Sequence, residues 1–159
     1  MKHLLRNLLL SAFVVVSATQ LSAQVASKPI VTLELAKKIG AKAEAEAARN
    51  KWTIVVAIVD DGGNLIYLSK MDGTQIGSID VAQKKARTAI KFKRPTKAFE
   101  DVVVGGRNTV LSLPDVIAVE GGVPLIVDGA YIGAIGISGA KSNEDGIVAA
   151  AGATALGQP

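Results

Sequence analysis

The sequence predicts an α/β protein of the α+β type: one domain, with a mainly antiparallel sheet built from two hairpins and covered by packed helices. Two turn signals and one pattern of order carry that expectation. Asp61-Gly62-Gly63-Asn64 separates TIVVAIVD from LIYLSK, and Asp128-Gly129 separates GVPLIVD from AYIGAIGIS. Asp-Gly between apolar, β-branched runs is hairpin chemistry, because it supplies residues that tolerate positive φ. Helical patterns flank each hairpin, and paired hairpins favour an antiparallel sheet over a parallel βαβ arrangement.

The first residues stand apart from the domain. Lys2 and Arg6 make a positive start, Leu8 to Ala18 is an apolar run, and Leu21-Ser22-Ala23 ends on a small residue. That order predicts a secretory signal peptide over residues 1–23 and a domain over residues 24–159, periplasmic or secreted. The apolar run falls short of the roughly 20 residues of a spanning helix, so no stable membrane span is expected after cleavage.

Thr32 is placed to cap a helix running to about Asn50, with Glu34 favourable in its first turn. Leu35, Ile39, Ala43 and Ala47 recur every fourth residue as its buried stripe. TIVVAIVD is apolar almost throughout, which predicts a central strand covered on both faces. Ser78 is expected to cap a second helix that ends near Phe92, because Pro95 forces the preceding residue out of helical geometry. Thr96 is expected to cap a short helix, KAFEDVVV, ended by Gly105-Gly106, and residues 107–114 read as loop with one short turn. Ser142 and Asp145 resemble a capping box for a last, alanine-rich helix over about residues 143–156.

Composition excludes whole classes of chemistry. The chain has no cysteine, and its one histidine, His3, falls in the leader. The mature chain therefore lacks Ser-His-Asp and Cys-His nucleophile systems, disulfides and the usual zinc sites. A bound metal ion would need an oxygen ligand, a Lys amine or a Met thioether. Without Lys2 and Arg6 the formal charge falls from +4 to +2, which selects no partner.

GAIGISGA lacks the G-x-G pair of a dinucleotide loop, and no GK[ST] follows it. Gly133 and Gly136 are three apart on a strand and point to opposite faces, which suits close approach by a helix or a subunit. Asp60-Asp61 on a strand likewise diverge, so they form no acid/base dyad, and Glu144-Asp145 suits a helix N-terminus.

Four segments in order, IVVAIVDDGGNLIYLSKMDG, SIDVAQKKARTA, EGGVPLIVDGAYIGAIGISGA and NEDGIVAAAG, resemble the GlcG/HbpS-like family of small haem-binding and haem-degrading proteins. The same domain type occurs at the C-terminus of some propanediol-utilisation adenosyltransferases. The resemblance covers residues 53 to about 152. It implies a sandwich-like α/β domain, assembly into homo-oligomers and haem as cofactor, with a tetrapyrrole-like ligand and, in some members, oxidative degradation of it. Histidine ligands used elsewhere in the family are absent here.

Several residues become site candidates on that footing. Lys84, Lys85, Arg87, Lys91, Lys93, Arg94 and Lys97 place seven positive charges in fourteen residues with no acid among them. Lys84, Arg87, Lys91 and Arg94 follow offsets of three and four, so they share a helix face that could pair with haem propionates. Met71 and Asp72 lie in the family's MDG turn, a pocket edge. Glu120, Gly121 and Gly122, before Pro124, match its GG-x-P turn as a further ligand contact. Tyr67, Tyr131 and Met71 are the weak candidates for an iron ligand, since tyrosinate serves ferric haem in catalase. Nucleic acid is not expected, because only Phe92 interleaves with the basic run. The rival class is a non-catalytic oligomeric module for another small ligand or a protein partner.

Overall fold

The computed structural model describes residues 27–157. The leader inferred over residues 1–23 lies outside them. The elements run α1 (Leu33–Arg49), β1 (Val55–Asp60), β2 (Leu65–Lys70), α2 (Ser78–Phe92), α3 (Lys97–Val104), a 3-10 turn (Asn108–Ser112), β3 (Gly122–Val127), β4 (Ala130–Ser138), α4 (Ser142–Ala153) and a closing 3-10 turn (Thr154–Leu156). The four strands form one antiparallel sheet in the order β2-β1-β4-β3. Among the described residues no helix is long and apolar enough to cross a membrane.

The two hairpins form where turn chemistry demands them. Asp60 Oδ1 accepts the N–H groups of Gly62 (2.9 Å) and Asn64 (2.8 Å), and Gly63 takes φ +82°. Asp128 (φ 49°) and Gly129 (φ 76°) are both left-handed, the signature of a two-residue turn that matches strand twist. β1 is central, and Val55 to Val59 are fully buried. Its side chains divide by pleat: Val56 and Ile58 join Ile54, Ile135 and Ile137 in a core with α1 and α4, while Val55, Ala57 and Val59 meet the alanines of α2. The sheet is thus sandwiched, with α1 and α4 on one face and α2 on the other.

Contacts between α2 and the sheet are backbone-close. A Cβ on Gly136 would lie 2.6 Å from the Ala86 backbone nitrogen, and Ala82, Ala86 and Ala89 are fully buried. In α1 the buried stripe is Ala36, Ile39, Gly40, Ala43 and Ala47; Leu35 is only half-buried.

Three expected caps differ. Thr32 caps α1 as expected, accepting from Leu35 N–H at 3.2 Å. Gly77 occupies the cap of α2, and the Ser78 hydroxyl, already helical, instead accepts from Ser138 Oγ at 3.2 Å. Thr96 makes no cap bond: its hydroxyl is turned inward, where it accepts Gly122 N–H at 2.9 Å. At α4 the cap is Lys141, whose N–H donates to Glu144 Oε2 at 3.0 Å, and Ser142 Oγ donates to Glu100 instead. In each case a tertiary partner took the hydroxyl that local sequence assigned to the helix end. Lys93, at φ 51°, ends α2, so Arg94 lies beyond the helix and leaves the predicted basic face; its guanidinium rests over Phe99.

Candidate functional site

The outer side of α2 carries the densest set of predicted site residues. Lys84 and Arg87, one turn apart, line a recess of about 330 Å³ together with Asp115 and Val116. Arg87 is oriented by a bond from its Nε to the Gly63 carbonyl (3.2 Å) in the β1–β2 turn. Its planar fork has five donors, so the terminal nitrogens are left for solvent or a ligand. Lys91, a further turn along, pairs with Asp115 Oδ2 at 2.6 Å on the exposed edge. That ammonium holds the Asp115 carboxyl below the usual carboxylate range, with help from Arg87.

The far wall of the recess is docked by a buried threonine. Thr88 Oγ1 donates to the Asp115 carbonyl (2.9 Å) and accepts Ile117 N–H (3.1 Å). Asp115 itself sits at φ 62°, a left-handed conformation that Asp tolerates better than most residues. Sequence reasoning left Asp115 unremarked. Only Pro114-Asp115 as turn chemistry hinted at it.

The GG-x-P candidates occupy a different place. Glu120 N–H donates to the Glu100 carboxylate, and the Glu120 side chain lies over Gly146 of α4, where a Cβ would be 2.8 Å from its Cγ. Gly121 has φ +124°, and Gly122 lies so close under α2 that a Cβ would be 2.9 Å from the Lys85 carbonyl carbon, and 2.6 Å from Thr96 Cγ2 ahead of α3. Both glycines are therefore required by close approach. They floor a buried ion pair: Lys85 Nζ donates to Asp145 Oδ2 at 2.7 Å, with side chains 1% and 3% exposed. Burial pushes the Asp145 carboxyl up, against the pull of Lys85 and the Ala140 N–H. Neither partner stood out in the sequence as buried, since Lys85 read as one charge of a basic run and Asp145 as a helix-end acid.

Met71 and Asp72 are not brought to the basic recess. Met71 directly follows β2 and packs on the α1/α4 side of the sheet, while Asp72 is exposed. Arg87 touches the opposite end of that hairpin, a six-residue strand away, which is roughly 20 Å. Tyr67 also lies on the α1 side, its ring against Gly40, where a Cβ would be 3.2 Å from Cζ. Tyr131 lies on the α2 side, packed near Val59, Ala86 and Ala134, with Lys93 Nζ 5.4 Å above its ring centroid. Of the three weak iron-ligand candidates, only Tyr131 shares a layer with the basic residues. Among the described residues, no group of three or more His, Cys, Asp or Glu is arranged to hold a metal ion.

A helix-flanked antiparallel sheet in the order β2-β1-β4-β3 defines a single α+β domain, and the comparisons specify its family. Residues 31–154 match the family described as haem degrading protein HbpS-like, and the chain belongs to that family. It is 41% identical over 112 residues to protein GlcG of Escherichia coli strain K12, covering 70% of this chain and 84% of that protein. Its fold matches a double mutant of Streptomyces reticuli HbpS at TM-score 0.77 and 30% identity, over 84% of this chain and 92% of that one. It also matches PduOC, solved as a heme complex, at TM-score 0.74 and 28% identity, over 81% and 96% of the two chains.

Proposed function

We propose that this protein binds haem, holding its propionates at the α2 recess. The observation that carries the reading is the pairing of Lys84 and Arg87 around one concavity, with Arg87 pre-oriented by the Gly63 carbonyl. Guanidinium and ammonium groups suit two carboxylates on a flat ring edge, and Val116 offers apolar contact beside them. At about 330 Å³ the recess stands at the small end of ligand pockets, so it takes the polar edge of the ring and leaves the macrocycle to a second copy of the chain. The donor set fits propionates directly; for the iron it offers oxygen, with Tyr131 on the correct side of the sheet.

Bound haem supplies the iron at which peroxide turns on the ring, and the protein supplies grip, orientation and access. We extend the proposal to such degradation and to export through the residue 1–23 leader. N-terminal mass of the mature chain, starting near Gln24 in a periplasmic or culture fraction, tests the latter. A second reading, a carboxylate-bearing ligand without iron, is favoured by the absence of His and Cys from the described residues.

Titration of the mature protein with hemin, followed in the Soret region, separates them. Saturation near one haem per chain, or per pair, supports the first reading. A featureless, non-saturating titration sinks it and turns attention to iron-free carboxylates. Peroxide-dependent loss of a saturable Soret band would extend binding to degradation.

A further inference from the structure

Lys85 lies between Lys84 and Arg87 in sequence, yet it faces the other way. The helical period turns it about 100° from Lys84, toward the sheet. Its ammonium reaches Asp145 on α4, and α4 packs on the opposite face of the sheet from α2. The pair therefore joins the two helical layers across the sheet. Gly121 makes room for that passage, because a Cβ there would lie 2.9 Å from Lys85 Nζ and 2.8 Å from Asp145 Cβ. The second oxygen of Asp145 is held by Ala140 N–H at 3.1 Å.

The middle of the α2 interface is built from small residues: Ala82, Ala86 and Ala89 face glycine and alanine of β4, and the projecting contacts besides Lys85 include Ile90 and the Ser78–Ser138 hydrogen bond near the start of the helix. A buried ion pair is weak evidence for stability, since desolvation offsets its attraction, and its best-attested use is to set register. Here it is the charged tie from the buried side of that helix and reaches the opposite helical layer, whereas Ser78 reaches only Ser138 of β4 and Thr88 only the 115–117 loop.

We propose that the Lys85–Asp145 pair is the positioning contact that sets the rotation and register of α2 on the sheet, and hence the direction in which Lys84 and Arg87 meet the recess. The consequence for ligand binding rests on the haem reading above; the register claim does not.

The test replaces the pair by apolar side chains, Lys85→Met with Asp145→Leu, and uses the isosteric Asp145→Asn as a second variant. Amide hydrogen exchange is followed in α2 and in residues 113–117, which Thr88 ties to α2, against β1 as an internal reference. Both variants are expected to exchange at least about tenfold faster in α2 and in 113–117, with β1 unchanged, and to bind hemin about tenfold more weakly (~1.4 kcal/mol). Unchanged α2 exchange in either folded variant overturns the proposal. So does acceleration shared equally by β1 and α2, which marks a merely structural pair. If the wild-type protein does not bind hemin, the haem reading falls alone and the exchange pattern still decides the register.

Discussion

Gly136 of β4 and Ala86 of α2 meet backbone to backbone: a Cβ on the glycine would sit 2.6 Å from the Ala86 nitrogen and 3.0 Å from its Cβ. This is the answer to the glycine-rich strand. Its small residues admit a helix, and no phosphate loop is formed. Gly136→Ala is expected to lower stability by about 3 kcal/mol, because neither backbone can yield without shifting α2. Chemical denaturation measures it, and a loss under about 1 kcal/mol would show that α2 slides freely.

Thr96 is fully buried and its hydroxyl accepts the buried Gly122 N–H at 2.9 Å. Thr96→Val keeps the shape and orphans that donor. The expected loss is about 1–3 kcal/mol, read from urea midpoints. Thr96→Ser, which keeps the acceptor, should recover most of it.

Asp60 supplies an acid-dependent share of stability. Burial raises its carboxyl pKa, but bonds from Asn64 and from Gly62 N–H outweigh burial and hold it below the ordinary value. A carboxyl depressed in the folded state stabilises above its unfolded pKa of about 3.9, and that contribution fades as pH falls through the lower folded value. Denaturation midpoints of wild type and Asp60→Asn, compared between about pH 2 and 6, should converge toward the acid end. A constant gap across that range would remove Asp60 from the acid limb.

Lys84→Ala with Arg87→Ala should weaken hemin binding at least about tenfold while leaving the melting temperature within a few degrees, since their charged ends lie outside the core. Changing Lys97 to Ala is the control. Lys97 belongs to the same basic run but pairs with Asp101 on α3 at 2.7 Å, so affinity should not move. Equal loss in both variants would point to general charge rather than the recess.

Most of the element order was legible because it rests on local chemistry. Pro95 forbids α2 to run on past the left-handed Lys93 that ends it, and Asp128-Gly129 turns a hairpin through the φ values those residues allow, and no distant contact is needed. The α2 limits, the two hairpins and the central β1 follow from such signals and from apolar patterning alone. The absence of cysteine, and a sole histidine at position 3 ahead of the described residues, narrowed the donor chemistry in the same direct way.

The tertiary structure decided which polar groups point where. Lys84 and Lys85 are equivalent as text, yet one lines a recess and the other is sealed at 1% exposure, because the phase of α2 against the sheet separates neighbours by a quarter turn or more. Asp145 has its partner sixty residues away, and Asp115 joins Lys91 only because Thr88 docks its loop. Thr96 and Ser142 were claimed by Gly122 and Glu100 before they could cap their helices. Turns and strands follow from what each residue permits its own backbone; sites follow from which distant surfaces the packed layers bring within hydrogen-bond reach.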